Sequence, residues 1–434
     1  MRTQQTHAAG IELEDGLARL RATVGRVCWP WPSAYMWGVA AEVFPRVCLH
    51  DEGAPMRHRV DEPGDGAVVA CGMAPTADID VWAARLGVRL LAPSPAAYTW
   101  LSRKEHVDEL ARGLAISTPR SQVLEPEDVD TVRRYLHEGG GRCVMQRLDD
   151  GRSGAGTRLL RSVDEFVVAR DEFGDRAYKL AELVPGLSCT VSGYVAADAT
   201  GITTVTQQLV QSSGERFGRH FGNQILVPGD VDPATERALR GAAALIAERL
   251  RARGLRGAFG LDVVVNGSTV VLIEVNPRLQ STSSLGAWQE WESGLLPGPL
   301  SHVLAHVDPT VRFTPARLAD LPLSQAQIRA DKAGRVANAL SDGLYAVTDR
   351  GLAHMSGRPS DFRSVSRDGD HVWIWNATPQ PGAHVAAGDL VAIVQSWRKQ
   401  FTLSAAPRPT SHGLEVRDAV LSRLLGAPPR RERS

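Results

Sequence analysis

Asp262, Glu274 and Asn276 are the residues of this 434-residue chain whose types and spacing best suit metal chemistry. Glu274 and Asn276 are two apart in Leu272-Ile273-Glu274-Val275-Asn276-Pro277-Arg278, and Asp262 lies upstream in Phe259-Gly260-Leu261-Asp262-Val263-Val264-Val265. Both runs are short, rich in β-branched residues and separated by Asn266-Gly267-Ser268, which predicts a β-hairpin with an Asn-Gly turn. Strand side chains alternate faces, so Glu274 and Asn276 share one face while Ile273 and Val275 take the other. With Asp262 paired beside them, two carboxylates and an amide carbonyl stand together, oxygen ligands of the kind Mg²⁺ accepts alongside phosphates. Taken alone, a Glu-x-Asn pair is equally well explained as a solvated strand face ahead of a proline-marked exit.

Upstream segments add to the pattern. Cys143-Val144-Met145-Gln146 reads as a strand that enters a loop of small residues, including Gly151, Ser153, Gly154, Ala155, Gly156 and Thr157, before the apolar Leu159-Leu160. Glycines there let backbone N–H groups approach phosphate oxygens, although many such turns merely connect two strands. Lys179 to Val191 holds two apolar runs around Pro185-Gly186. Lysine is scarce, with only Lys104, Lys179, Lys332 and Lys399 among 49 basic residues. A drift toward arginine spares lysine where a compact ammonium on a flexible stem is needed. Lys104 falls at the start of an amphipathic helix that ends near Gly113; a solvated helix-face lysine is the plainer alternative.

In this order the segments resemble the ATP-grasp superfamily. The resemblance implies that Asp262, Glu274 and Asn276 hold Mg²⁺, with Mn²⁺ an alternative, on ATP. It implies that Arg278 reaches the reacting carboxylate or acyl phosphate, and that Lys104 reaches the α-phosphate. Gly151, Ser153, Gly154, Ala155, Gly156 and Thr157 would form the hairpin that closes over the triphosphate. Glu182, Leu183 and Val184 would form the hinge, whose Glu182 carbonyl and Val184 amide recognise adenine. The chain departs from the family at two places. Gln146 stands where a second phosphate-binding lysine is usual, and Lys179 is the expected replacement cation; Ser188 stands where many members hold the ribose with glutamate.

The implied fold is α/β (α+β): an ATP-grasp core with a Rossmann-like N-terminal domain over 1–97, a lid half over 98–176 and a metal-binding half over 177–303. A β-rich C-terminal domain follows over 304–426, then a disordered tail over 427–434. The helix Pro233 to Arg253 carries apolar Leu239, Ala242, Ala243, Leu245, Ile246 and Leu250 at helical spacing, which reads as core. After Pro309 short β-like runs are broken by Asp-Gly, Pro-Gly and Ala-Gly turns; one faintly resembles half of a biotinyl barrel but lacks the lysine such a barrel carries.

The expected activity is an ADP-forming ligase that converts a carboxylate, an amino acid or peptide, to an acyl phosphate and joins it to an amine. Alternatives are a biotin-dependent carboxylase-type subunit and a non-catalytic nucleotide-binding regulator. Ser281, Thr282, Ser283, Ser284, the loop Arg216 to His220, Trp288 and Trp291 are candidate lining; helix capping, a basic turn and core aromatics explain them as well. With a net charge of zero, 43% hydrophobic and 23% charged residues, the composition suits small-molecule substrates rather than a nucleic-acid or membrane surface, and a homodimer is compatible with it. Five cysteines without CxxC spacing read as buried thiols of a cytoplasmic protein. No apolar run approaches the ~20 residues of a membrane span, and Met1 to Gly10 lacks a signal-peptide pattern.

Overall fold

A computed structural model describes residues 8–29, 38–49, 67–70, 80–81, 83–84, 87–148, 154–174, 176–212, 214, 217–377 and 380–426. Gly151 and Ser153 of the glycine loop, Arg216, Cys71 and the tail from Ala427 lie outside the described residues. The chain divides into two compact units. One holds the residues up to His220 with Pro228–Ala319 and Ser404–Ala406; the other holds Phe221–Val227, Asp320–Leu403 and the remainder from Pro407.

In the first unit, the N-terminal strands Val47–Leu49, Arg26–Trp29, Ala67–Ala70 and Arg89–Leu91 form a parallel sheet in that spatial order. Next in the chain comes a four-stranded antiparallel lid sheet, ordered Ser121–Leu124, Tyr178–Glu182, Cys143–Arg147, Thr157–Leu160. Alternation decides its two faces. Cys143, Met145, Tyr178 and Leu180 pack with Val132, Tyr135, Phe166 and Phe173 of the helices Val129–Glu138 and Val163–Phe173, which turns Gln146 and Lys179 to the opposite face. The first of these helices starts at Val129, because the Asp128 side chain accepts the Thr131 amide and caps the turn there.

The third sheet is antiparallel, ordered Thr269–Asn276, Gly257–Asn266, Leu187–Val195, Thr200–Val210. Helix Pro233–Ala252 packs against it, started by Asp232, whose carboxylate accepts the Ala234 and Thr235 amides. Leu239, Ala243, Ile246 and Leu250 are buried as expected, but Leu245 is 45% exposed. At 100° per residue the four buried positions fall within a narrow stripe and Leu245 falls well off it, so its apolar character misled the sequence reading. Helices Ser283–Glu292 and Gly298–Val307 complete the unit, the latter packing with the helix Leu13–Thr23. Cys28, Cys143 and Cys189 are buried and outside any disulfide, as expected for them.

The second unit contains an antiparallel sheet in which Ser324–Arg329, Leu390–Ser396, His371–Asn376, Gly343–Thr348 and Gly351–Ser356 follow one another. Helix Ser411–Leu425 covers it with Val416, Val420, Leu421 and Leu424. A β-rich region was expected here, but not this helix; Thr410 caps it and Gly426 ends it in a left-handed turn, φ +67°. No described helix is long and apolar enough to cross a membrane.

Candidate active site

The metal hairpin has the expected register. Asp262 pairs with Glu274 and Gly260 with Asn276, while a local irregularity after Asp262 re-aims the strand. Asp262 is the part-buried anchor. Its carboxylate accepts the Thr190 hydroxyl at 2.9 Å, the Asn276 amide at 3.2 Å and the Gln280 amide at 3.4 Å. Burial nonetheless raises its pKa above the ordinary aspartate value; those hydrogen bonds and the Arg278 charge act in the opposite direction. Glu274 is more accessible, with its side chain 26% exposed. Arg278 leaves the strand in a tight turn, its amide bonded to the Asn276 carbonyl at 2.8 Å. Its guanidinium donates to Asn276 Oδ1 at 3.0 Å and to the Leu279 carbonyl at 3.1 Å. Asn276 therefore links the carboxylate anchor to the arginine.

Lys104 brings a second positive charge to the hairpin, facing Glu274. It opens a one-turn 3₁₀ segment, Lys104–His106, after an extended Arg103, rather than the first turn of an α-helix; Val107–Ala111 is helical beyond it. This turn is braced by Trp100, stacked on His106 at 4.3 Å and covered on its other side by the Arg253 guanidinium at 3.6 Å. The Lys104 side chain is 7% exposed, and its ammonium lies 3.9 Å from Glu274 Oε1. Such a pair is worth on the order of 4 kcal/mol before desolvation offsets most of it, so a more highly charged ligand can compete for either partner.

On the lid sheet, Thr157, Gln146 and Lys179 form one cross-strand row on the face away from the helices. Lys179 is only 2% exposed, and its ammonium donates to the Lys104 backbone carbonyl at 2.8 Å. Burial lowers its pKa from the ordinary lysine value and Lys104 adds to that, while Asp108, Glu105 and Glu274 oppose it.

The glycine loop closes into the expected hairpin, with the Arg147 amide bonded to the Gly156 carbonyl at 2.9 Å. Gly154 has φ +80°, and a Cβ there would lie 2.2 Å from the Gly218 carbonyl oxygen. Ala155 and Gly156 continue the turn into Thr157. Contact between Gly154 and the loop around Gly218 joins two segments that the sequence left separate. At the hinge, Glu182 pairs with Cys143, and its carboxylate accepts the Arg120 amide at 3.0 Å; Leu183 and Val184 form the irregular link toward Gly186.

Several suggested lining residues take the plainer role. Ser283 Oγ accepts the Gln280 amide and Ser284 Oγ donates to the Ser281 carbonyl, so the serines organise the start of helix Ser283–Glu292. Trp288 is fully buried and stacks with Trp291, which makes it core.

Two features escaped the sequence reading. Gln280 packs so closely over Gly260 that a Cβ there would fall 1.4 Å from its Oε1, an oxygen buried without a hydrogen-bond partner. The spacing Glu274, Asn276, Arg278, Gln280 was a visible signal. The second is Glu290, fully buried beneath the Tyr194 hydroxyl at 2.9 Å and pushed up to about 7 by burial, although Tyr194 and Thr203 act to lower it.

Residues 114–282 match the sequence model of the ATP-grasp domain family. Those residues thus carry an ATP-grasp domain. The N5-carboxyaminoimidazole ribonucleotide synthase of Synechococcus elongatus is 26% identical over 209 residues, covering 47% of this chain and 49% of that protein. The match thus spans about half the length of this curated relative. Among solved structures, N5-carboxyaminoimidazole synthase of Aspergillus clavatus, in complex with ADP and 5-aminoimidazole ribonucleotide, has a TM-score of 0.57 at 12% identity, covering 92% of this chain and 98% of that one. The biotin carboxylase of Campylobacter jejuni, in an ATP-analogue complex, has a TM-score of 0.58 at 13% identity, covering 95% of this chain and 89% of that one.

Proposed function

We propose that the protein is an ADP-forming ligase that activates a carboxylate with Mg-ATP and joins it to an amine. The observation that carries this reading is the meeting of Asp262, Glu274 and Asn276 with Lys104 and Arg278 in one place. The donor set fits a hard divalent cation. Asp262 is a part-buried carboxylate held by neutral donors, and the opposed Glu274 is accessible. Mg²⁺ or Mn²⁺ would be held by Asp262, Glu274 and Asn276, and bound Mg-ATP would supply the phosphoryl group and offset its charge.

The chain's own residues perform the rest. Lys104 neutralises phosphate charge. Gly154, Ala155, Gly156 and Thr157, with Gly151 and Ser153, exclude water that would hydrolyse the activated acyl group. Gln146 donates a neutral hydrogen bond to phosphate, and Glu182, Leu183 and Val184 bind adenine through their backbone. Arg278, pinned by Asn276, stabilises the charge that develops on the acyl oxygen as the amine adds, where one such donor is worth ~3 kcal/mol. Near Arg278, Thr190, Ser192, Gln280 and Thr282 provide hydroxyl and amide groups. Such a wall suits a small polar acid, an amino acid or short peptide. Bicarbonate is the second reading, favoured by the carboxylating enzymes among the similar proteins.

The test is to incubate the protein with Mg-ATP and pooled amino acids, with and without bicarbonate, and to weigh the products by mass spectrometry. ADP release with an amide product supports the first reading. Bicarbonate-dependent ADP release without an amide supports the second. Tight ATP binding with no turnover under either condition would refute both and point to a regulatory nucleotide-binding protein.

A further inference from the structure

Lys179 is a lysine where an apolar residue or an arginine would be the simpler choice. It is the second residue of the strand Tyr178–Glu182, 2% exposed, in a chain where lysine supplies only four of 49 basic residues. A buried ammonium carries a desolvation penalty of several kcal/mol unless it is compensated. Compensation here comes from Asp108 and Glu105, which lie close enough to favour its charged form. Among the described residues, Asp108 Oδ1 and Glu105 Oε2 are buried without a hydrogen-bond partner, so they act on Lys179 through the field rather than by direct contact. Its direct bond goes elsewhere, to the backbone carbonyl of Lys104 at 2.8 Å. That carbonyl belongs to the residue that opens the short 3₁₀ turn and whose own ammonium faces Glu274 at 3.9 Å.

We infer that Lys179 is a positioning residue for Lys104: it ties the lid strand to the carbonyl of the turn that carries Lys104 and so fixes where the Lys104 ammonium points. This rests on the proposed role of Lys104 toward phosphate. It replaces direct phosphate contact with an action through the turn. An ammonium is suited to the task because it is a compact donor on a long stem, whereas a planar guanidinium would demand a wider, forked acceptor. Both ends of the link belong to the first unit. One end is the strand that also carries the hinge residue Glu182, so a shift of that strand is transmitted to the lysine that faces the metal hairpin.

A double-mutant cycle separates this from the other roles Lys179 could have. The full chain is titrated calorimetrically with Mg²⁺ and a non-hydrolysable ATP analogue for wild type, Lys179→Met, Lys104→Met and the double variant, with thermal unfolding recorded in the absence of nucleotide. The expectation is that Lys179→Met weakens nucleotide binding by about tenfold and that, in the Lys104→Met background, the same change costs less than about threefold, because coupled residues do not add. Additive losses would mean that Lys179 meets phosphate itself and would overturn the inference while leaving the site reading intact. Unchanged affinity in Lys179→Met with a lowered melting temperature would mean a structural role alone and also overturn it. Unchanged affinity in Lys104→Met would overturn the phosphate role of Lys104 and this inference with it. Lys179→Arg, which keeps the charge, is read in the same cycle if the methionine variant fails to fold. It should weaken binding at least about threefold, and wild-type affinity there would count against the inference.

Discussion

The metal hairpin and the lid sheet solve opposite electrostatic problems by the same device. In the hairpin a part-buried carboxylate, Asp262, is held by three neutral donors: a hydroxyl and two amides. In the lid a buried ammonium, Lys179, is held by a neutral carbonyl. Neither charge is cancelled by a directly bonded ion of opposite sign. Both are kept in place by dipoles, which fix direction while leaving charge available. The two regions differ in what they leave exposed. The hairpin presents Glu274, whereas the described part of the lid row presents only neutral Gln146 and Thr157 beside the buried lysine. Under the proposed function, a nucleotide between them would be gripped by charge on one side and met by neutral groups on the other.

The most damaging way to break this asymmetry is Glu274→Gln, which removes the accessible charge of the hairpin and keeps its shape. Turnover measured by ADP release should fall by at least about a thousandfold at any tolerable Mg²⁺ concentration, with an unchanged circular-dichroism spectrum. Near-normal turnover would remove Glu274 from the metal site. Arg278→Ala should lower kcat about a hundredfold while nucleotide affinity stays within a few-fold, since the side chain serves the acyl centre; a loss confined to KM for ATP would contradict that role.

On the enclosing side, Gly154→Val should raise KM for ATP about tenfold. Its side chain would collide with the Gly218 backbone and has to adopt φ +80°. A variant with wild-type kinetics would show that the contact between the two loops is dispensable.

The smallest effect concerns stability away from the two regions. Glu290 titrates near 7 when folded and near 4.5 in the unfolded chain, so its contribution is fully present below about pH 4.5 and is lost as the pH rises through 7. Glu290→Gln should therefore gain stability over wild type between those values, by on the order of 3 kcal/mol at pH 8 in urea unfolding. Parallel stability curves for the two proteins across that range would show that Glu290 is not perturbed.

What the sequence revealed was mostly local. The Asn266-Gly267 turn and the alternation around Glu274 defined the hairpin register, because a two-residue loop leaves little freedom in pairing. Helix Ser411–Leu425 was equally local in its signals, with a Thr410 cap and apolar Val416, Val420 and Leu424 at helical spacing. It was hidden by the turn-rich pattern of the preceding hundred residues. Other features were illegible for a different reason. The bond from Lys179 to Lys104 spans 75 positions, and the approach of Gly154 to Gly218 spans 64. Nothing in the composition of either partner marks them as neighbours. Leu245 is the reverse case, a residue with core chemistry and a surface angle.

Gly260 and Gln280 carry a consequence for how this site can change over generations. The amide end of the Gln280 side chain occupies the space that any Cβ at 260 would need, so a side chain at 260 displaces that amide. A lineage that lengthens residue 260 must swing the Gln280 amide aside or shorten residue 280, and either way it gives up one of the amide donors on Asp262. The accessible route therefore runs through a weakened anchor, and in a library randomised at both positions survivors should couple a larger residue 260 to a smaller residue 280. This pair of residues makes the metal hairpin an evolutionary ratchet, easier to keep than to rebuild.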